Sequence, residues 1–126
     1  MFDKELVLEI LTQVYRSTQM VIKRFEPIKS ADEFTNSDSG LEKLDAICMQ
    51  LISIGESLKN LDKITDSSLL SRYPQVDWKK VKGLRDIITH HYFDLDAEAI
   101  YNVCENHIDD LATMINKMIK ELDKIT

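Results

Sequence analysis

Apolar residues recur along most of this chain at steps of three and four, the spacing that lines one face of an amphipathic helix. From about Phe2 to Phe25, Leu6, Ile10 and Val14 form one stripe with Val7, Leu11, Tyr15 and Ile22 beside it, and Pro27 ends the helix. The strongest period follows: Leu44, Ile47, Leu51, Ile54, Leu58 and Leu61 predict a second helix over about Leu41 to Leu61, with the spacing of a seam packed on another helix. A third helix begins near Trp78 with Asp77 as its N-cap, carries Val81, Leu84, Ile87 and Ile88 toward the core, and ends around His91. A fourth spans about Asp96 to Asp123, with Ile100, Val103, His107, Leu111, Ile115, Met118 and Leu122 on one face. Between the first two, Ser30-Ala31-Asp32-Glu33 has capping-box spacing and opens a short helical turn, whereas Asn36 to Gly40 reads as a loop. Ser67 or Ser68 caps a short helix through Arg72, and Pro74 imposes an extended approach to the third helix.

Four main helices with short links predict an all-α, up-and-down four-helix bundle with a short extra helix, and residues 1–126 form one domain. Composition supports this class, since 3 Gly and 2 Pro leave little turn material for a sandwich or barrel, and 44% hydrophobic residues suffice for a core. The two cysteines, Cys48 and Cys104, are far apart, each within a periodic helical segment, so both are expected to be free, buried thiols. Cys104 and His107 are at i and i+3, but no third ligand or metal-site spacing accompanies them, so neither a metal nor a cofactor is expected; His107 is expected to be a hydrogen-bonded core residue. No apolar stretch is long enough to span a bilayer and no leader pattern opens the chain, which predicts a cytoplasmic protein without a membrane partner.

The formal charge of −6 argues against a protein coated in nucleic acid. The distribution changes that picture: Arg72 to His91 carries +3, leaving −9 on the rest. Lys79, Lys80 and Lys82 in that segment are candidates to hold RNA phosphates at one place, or else they are one solvated helix face.

The same segment holds the candidate chemistry, Arg85, His90 and Tyr92 in the order R-x4-H-x-Y. A guanidinium is a permanent planar cation that fits phosphate oxygens, and an imidazole exchanges a proton near neutral pH. On an ideal helix a five-residue step leaves side chains about 140° apart, so Arg85 and His90 converge only if the helix distorts or a second copy of the chain contributes across a two-fold axis. With RNA as substrate the economical reaction is attack of a ribose 2′-hydroxyl on the adjacent phosphate, His90 moving the proton, Arg85 stabilising charge and Asp86 orienting one of them. Equally, an Arg and a His near a helix end can do no more than satisfy the last carbonyls and the helix dipole. His91 is expected to be an exposed neighbour, about 100° from His90.

Three segments together resemble the HEPN superfamily, in particular its bacterial branch that includes the toxin HepT. They are Ile54-Gly55-Glu56-Ser57-Leu58-Lys59, then Tyr73-Pro74-Gln75-Val76-Asp77-Trp78, then Gly83 to Asp96 around R-x4-H-x-Y. The resemblance extends over essentially the whole chain, most weakly at Pro27 to Gly40. It implies a homodimeric bundle with Arg85 and His90 of both subunits lining a cleft, and metal-independent ribonuclease activity as the toxin of a toxin-antitoxin pair. It implies further that an MntA-like nucleotidyltransferase antitoxin transfers AMP from ATP to Tyr92. Glu56 either reaches the cleft or is a structural hydrogen-bond acceptor, and Gly55 permits close helix packing. Two other readings stand beside the RNase: a non-catalytic module that presents a substrate to a nucleotidyltransferase, and a plain helical dimerisation domain.

Overall fold

The computed structural model describes residues 2–90 and 95–124. Among the described residues, five α-helices and two short 3-10 helices follow one another: α1 (Lys4–Phe25), a 3-10 turn (Ala31–Phe34), α2 (Asp38–Ile64), a second 3-10 turn (Leu70–Arg72), α3 (Trp78–His90), α4 (Ala97–Asn106) and α5 (Ile108–Asp123). No strand occurs among the described residues. The all-α bundle is therefore as expected, and its core lies along α1, which packs on α2 on one side and on α5 on the other. Val7, Leu11, Ile47, Leu51, Ile54, Leu58, Ile115 and Met118 fill that core with almost no exposure.

Helix starts follow local chemistry. The Asp3 carboxylate accepts from the Leu6 N–H at 3.2 Å to cap α1, and Ser37 Oγ accepts from the Gly40 N–H at 3.0 Å to cap α2. The expected loop at Asn36 to Gly40 is thus mostly helix from Asp38 onward. Gly40 is there for contact, because a Cβ would lie 1.9 Å from the Glu33 carbonyl oxygen of the preceding 3-10 turn. That turn carries Phe34 into the core beside Phe25 and Tyr101, with ring centroids 5.1–6.5 Å apart.

The single fourth helix is divided. Backbone φ −126° at His107 ends α4 and starts α5, and the buried stripe runs Ile100, Cys104, Ile108, Leu111 rather than through Val103 and His107. Two successive four-residue steps drift the stripe by about 80° around an ideal helix, and the break at residue 107 absorbs the drift. His107 is exposed, not a core histidine: burying its ring would cost desolvation that Ile108 avoids. Cys48 and Cys104 are free and buried, and burial raises their thiols to about 11 and about 12.

The helix that matters most for function, α3, lies outside the α1 core and packs on α2. Trp78 and Ile88 are its buried residues, Val81 and Leu84 are half-buried, and Ile87 is 57% exposed. Ile87 was expected to face the core; a helix covered on one side has room inward for only part of its apolar stripe. Two bonds fix where α3 begins. Trp78 Nε1 donates to the Tyr73 carbonyl at 2.8 Å, and the Tyr73 hydroxyl donates to Glu121 Oε1 on α5 at 2.9 Å. Asp77 caps the helix, accepting from the Lys80 N–H at 3.2 Å.

The approach of α3 to α2 depends on Gly55. A Cβ there would stand 3.1 Å from the Val81 carbonyl oxygen, 3.3 Å from that of Lys82 and 3.4 Å from the Arg85 nitrogen, all backbone atoms of α3. Gly83, by contrast, has nothing within 4 Å of such a position. We therefore expect Gly55→Val to destabilise the protein by about 1–3 kcal/mol through overpacking, and Gly83→Ala to stabilise it by about 0.5–1 kcal/mol through helix propensity; urea denaturation of the two variants checks both signs.

Candidate active site

Once α2 and α3 are this close, their facing side chains are set in antiparallel register. Glu56 meets Arg85, Lys59 meets Asp86, and Asp62 meets Lys82. At the head of this ladder, Glu56 Oε1 forms an ion pair with Arg85 Nε at 2.7 Å, and Asp86 Oδ1 accepts from Arg85 Nη1 at 3.3 Å. Lys59 Nζ donates to the other Asp86 oxygen at 3.2 Å. Arg85 and Glu56 side chains are 45% and 50% exposed, so these pairs contribute little to stability. Their effect is to orient. A guanidinium has five N–H donors in a fixed fork; with Nε and one Nη1 proton engaged, the others have no protein acceptor among the described residues. That is the form of a group prepared to receive an external anion.

Asp86 is held as a carboxylate. The hydrogen bond and charge of Lys59, followed by those of Arg85, lower its pKa below the ordinary value of 3.8. A depressed carboxyl pKa favours the folded, paired form above the ordinary value and loses that preference only as pH falls through the folded pKa. At neutral pH Asp86 is therefore ionised between Lys59 and Arg85. Further along, Lys82 Nζ and Asp62 Oδ2 are 2.6 Å apart and the less exposed pair, at 26% and 19%.

The structure brings together Arg85, Asp86 and Glu56 of the expected site residues, and adds Lys59, which sequence reasoning did not single out. Its signal was present: on α2 Glu56, Lys59 and Asp62 alternate in sign at three-residue steps, the pattern of a helix that meets a charged partner face. His90 is the last residue of α3 and exposed. Because α3 remains helical from Arg85 through His90, the two side chains leave the axis about 140° apart, so one chain does not bring them onto one face. Lys79 and Lys80 are exposed on the first turn of α3, and Lys82 is half-buried against Asp62. His91 and Tyr92 lie outside the described residues. Among the described residues, no group of three or more His, Cys, Asp or Glu is placed to hold a metal ion, and no helix is long and apolar enough to cross a membrane.

The chain, an all-α bundle with an arginine on an outer helix followed after four residues by a histidine and at the seventh position by a tyrosine, matches the HepT-like ribonucleases over residues 14–118. The chain belongs to that family, a branch of the HEPN superfamily. Its relatives include a protein of Methanocaldococcus jannaschii named "Putative RNase MJ0127", 33% identical over 78% of this chain and 83% of that one. A second from the same organism, "Gamma-glutamylcyclotransferase and putative RNase MJ0434", is 29% identical over 90% of this chain and 48% of its own length. "Putative RNase TTE0752" of Caldanaerobacter subterraneus is 26% identical over 88% of this chain and 92% of that one. No solved structure is significantly similar to the chain.

Proposed function

We propose that two copies of this chain form a metal-independent endoribonuclease of the cytoplasm, with Arg85 and His90 as its catalytic residues, that acts as the toxin of a toxin-antitoxin pair. Membership of a ribonuclease family makes RNA the substrate class. The observation that carries the reading is the Arg85 guanidinium, braced by Glu56 and Asp86 with its remaining donors open to solvent. The continuous helix from Arg85 to His90 favours a site completed by a second copy over one completed within the chain. Two exposed apolar residues flank the two parts of that site: Ile87 at 57%, three residues before His90 on α3, and Met49 at 63%, two helical turns before Glu56 on the same side of α2.

In this reaction His90 accepts the proton of a ribose 2′-hydroxyl as that oxygen attacks the adjacent phosphorus. Arg85 donates to the non-bridging oxygens as negative charge grows on them. The 5′-oxygen leaves with the proton that the protonated His90 gives up, so a cyclic 2′,3′-phosphate and a free 5′-hydroxyl result, and DNA, which lacks the nucleophile, is not cleaved. Glu56 and Asp86 hold the guanidinium rather than touch the substrate. Control comes from an MntA-like nucleotidyltransferase antitoxin that transfers AMP from ATP to Tyr92; the added phosphate places bulk and negative charge seven residues beyond Arg85 and repels RNA.

Unmodified wild-type protein should cleave single-stranded RNA in EDTA, and His90→Ala and Arg85→Ala should each lower the rate by roughly 10²–10³-fold with circular dichroism unchanged. Absence of cleavage by wild type whose intact mass shows no attached AMP would overturn the catalytic reading in favour of a docking module. With ATP and the nucleotidyltransferase, the wild type should gain the mass of AMP and Tyr92→Phe should not; equal gain by both proteins would remove Tyr92 from that role.

A further inference from the structure

Beside the prepared arginine, the second half of α2 and the first half of α3 diverge into an open groove of about 640 Å³. Lysines stand on both walls, Lys59 and Lys63 from α2, Lys79 and Lys82 from α3, with Asp62 and Asp66 between them. These six side chains sum to +2 on a chain of −6. We propose that this groove binds the ribose-phosphate backbone of single-stranded RNA and leads it to Arg85, an inference that rests on the ribonuclease reading and names the surface that holds its substrate.

Four features point to that ligand. First, the lysines are of two kinds. Lys59 and Lys82 are committed to Asp86 and Asp62, whereas Lys63 and Lys79 are exposed and have no carboxylate within ion-pair distance among the described residues. Two ammonium groups without an ion-pair partner among the described residues therefore line one groove, one from each helix, available for phosphate. Second, the groove is continuous with the site, because Lys59 lines it and also donates to Asp86, the residue that holds Arg85 Nη1. Lys79 precedes Arg85 by six helical residues, about 9 Å along α3, so a strand held at Lys79 and Lys63 continues to Arg85 within a nucleotide or two.

Third, the carboxylates select against a plain polyanion. A ligand that alternates phosphates with hydroxyl donors satisfies both residue types, and the ribose 2′-hydroxyl is the donor that separates RNA from DNA. Fourth, Asp66 is held in place by an unusual turn. It takes φ 52°, and Ser67 φ 60°, at the end of α2, where the Ser67 N–H donates to the Asp62 carbonyl at 2.8 Å and the Asp66 N–H to the Lys63 carbonyl at 3.4 Å. This is the helix-terminating pattern that ordinarily has glycine in the left-handed position. Aspartate there costs conformational energy and brings a carboxylate to the groove wall. An acidic protein surface would gain from the lysines but meet repulsion from Asp62 and Asp66. Lys80, though equally basic and on the same turn as Lys79, does not line the groove; Lys63 takes its place among the expected RNA contacts.

The test is equilibrium binding of a labelled single-stranded RNA over a series of salt concentrations, in a His90→Ala background so that no strand is cut. Lys63→Ala/Lys79→Ala should weaken binding about tenfold at physiological salt, and should lower the slope of log K against log salt by about 1.4, two phosphate contacts at about 0.7 each. Lys80→Ala should change neither as much. Asp66→Gly keeps the turn and should narrow the preference for RNA over DNA of the same sequence. Equal affinities and slopes for the Lys63→Ala/Lys79→Ala and Lys80→Ala variants would overturn the groove, as would binding of an acidic polypeptide in preference to RNA; an unchanged RNA preference in Asp66→Gly would overturn the role of its carboxylate. Binding is read without cleavage, so an inactive wild type whose RNA binding still depends on Lys63 and Lys79 would refute the ribonuclease reading and leave the groove standing.

Discussion

The missing side chain at Gly55 sets the distance between α2 and α3, and the proposed chemistry inherits that distance. A helix packed on its neighbour through ordinary side chains lies 8–10 Å away, axis to axis; at Gly55 the α3 backbone instead comes within van der Waals reach of where a Cβ would be. At this approach the short side chains Asp62 and Asp86 pair with lysines on the opposite helix, and Glu56 lies 2.7 Å from Arg85 Nε. The remaining anchors of α3 act on its start: the Trp78–Tyr73–Glu121 relay ties it to α5. Packing, capping and charge pairing thus converge on one outcome, a cation fixed in direction on an outer surface.

Exposed ion pairs rarely stabilise a fold by much, and three along one helix seam, with a fourth between neighbours on α3, call for another explanation. Alternation of sign across the seam holds each long side chain in a defined place without burying it. That serves a site which must face a polyanion, because a flexible arginine would spend binding energy on its own ordering. It also limits the field. Paired residues offer little net charge, so in the proposed groove attraction to RNA falls to the groups left over, the open donors of Arg85 and the two lysines, Lys63 and Lys79, that have no ion-pair partner among the described residues. A protein of net charge −6 can in this way bind RNA at one place and repel it elsewhere.

Much of this was legible in the chain. The periodic stripes located α1, α2 and α3 to within a few residues, since each buries a face wide enough to impose its spacing. Arg85 and Asp86 stood out by residue type, and Gly55 by its place inside an otherwise unbroken apolar period. What was not legible depended on packing partners. Ile87 has the spacing of a core residue, but α3 has one covered face, and His107 lies on the nominal stripe until the break before α5 shifts the phase to Ile108. Glu56 allowed two roles from sequence because nothing in one helix reveals which residue faces it on the next. Lys63 gave no signal of its own for the same reason: its meaning comes from α3.

The proposed site is one that a single chain does not complete, since α3, helical from Arg85 to His90, points the two side chains apart. The direct measurement is RNA cleavage by a mixture of Arg85→Ala and His90→Ala chains, unfolded together and refolded so that copies pair at random. If each site draws its arginine from one copy and its histidine from the other, mixed dimers keep one intact site, and the mixture should recover about a quarter of wild-type activity although each variant alone is inactive. A mixture as inactive as its components would contradict the account and place both residues of each site on the same chain.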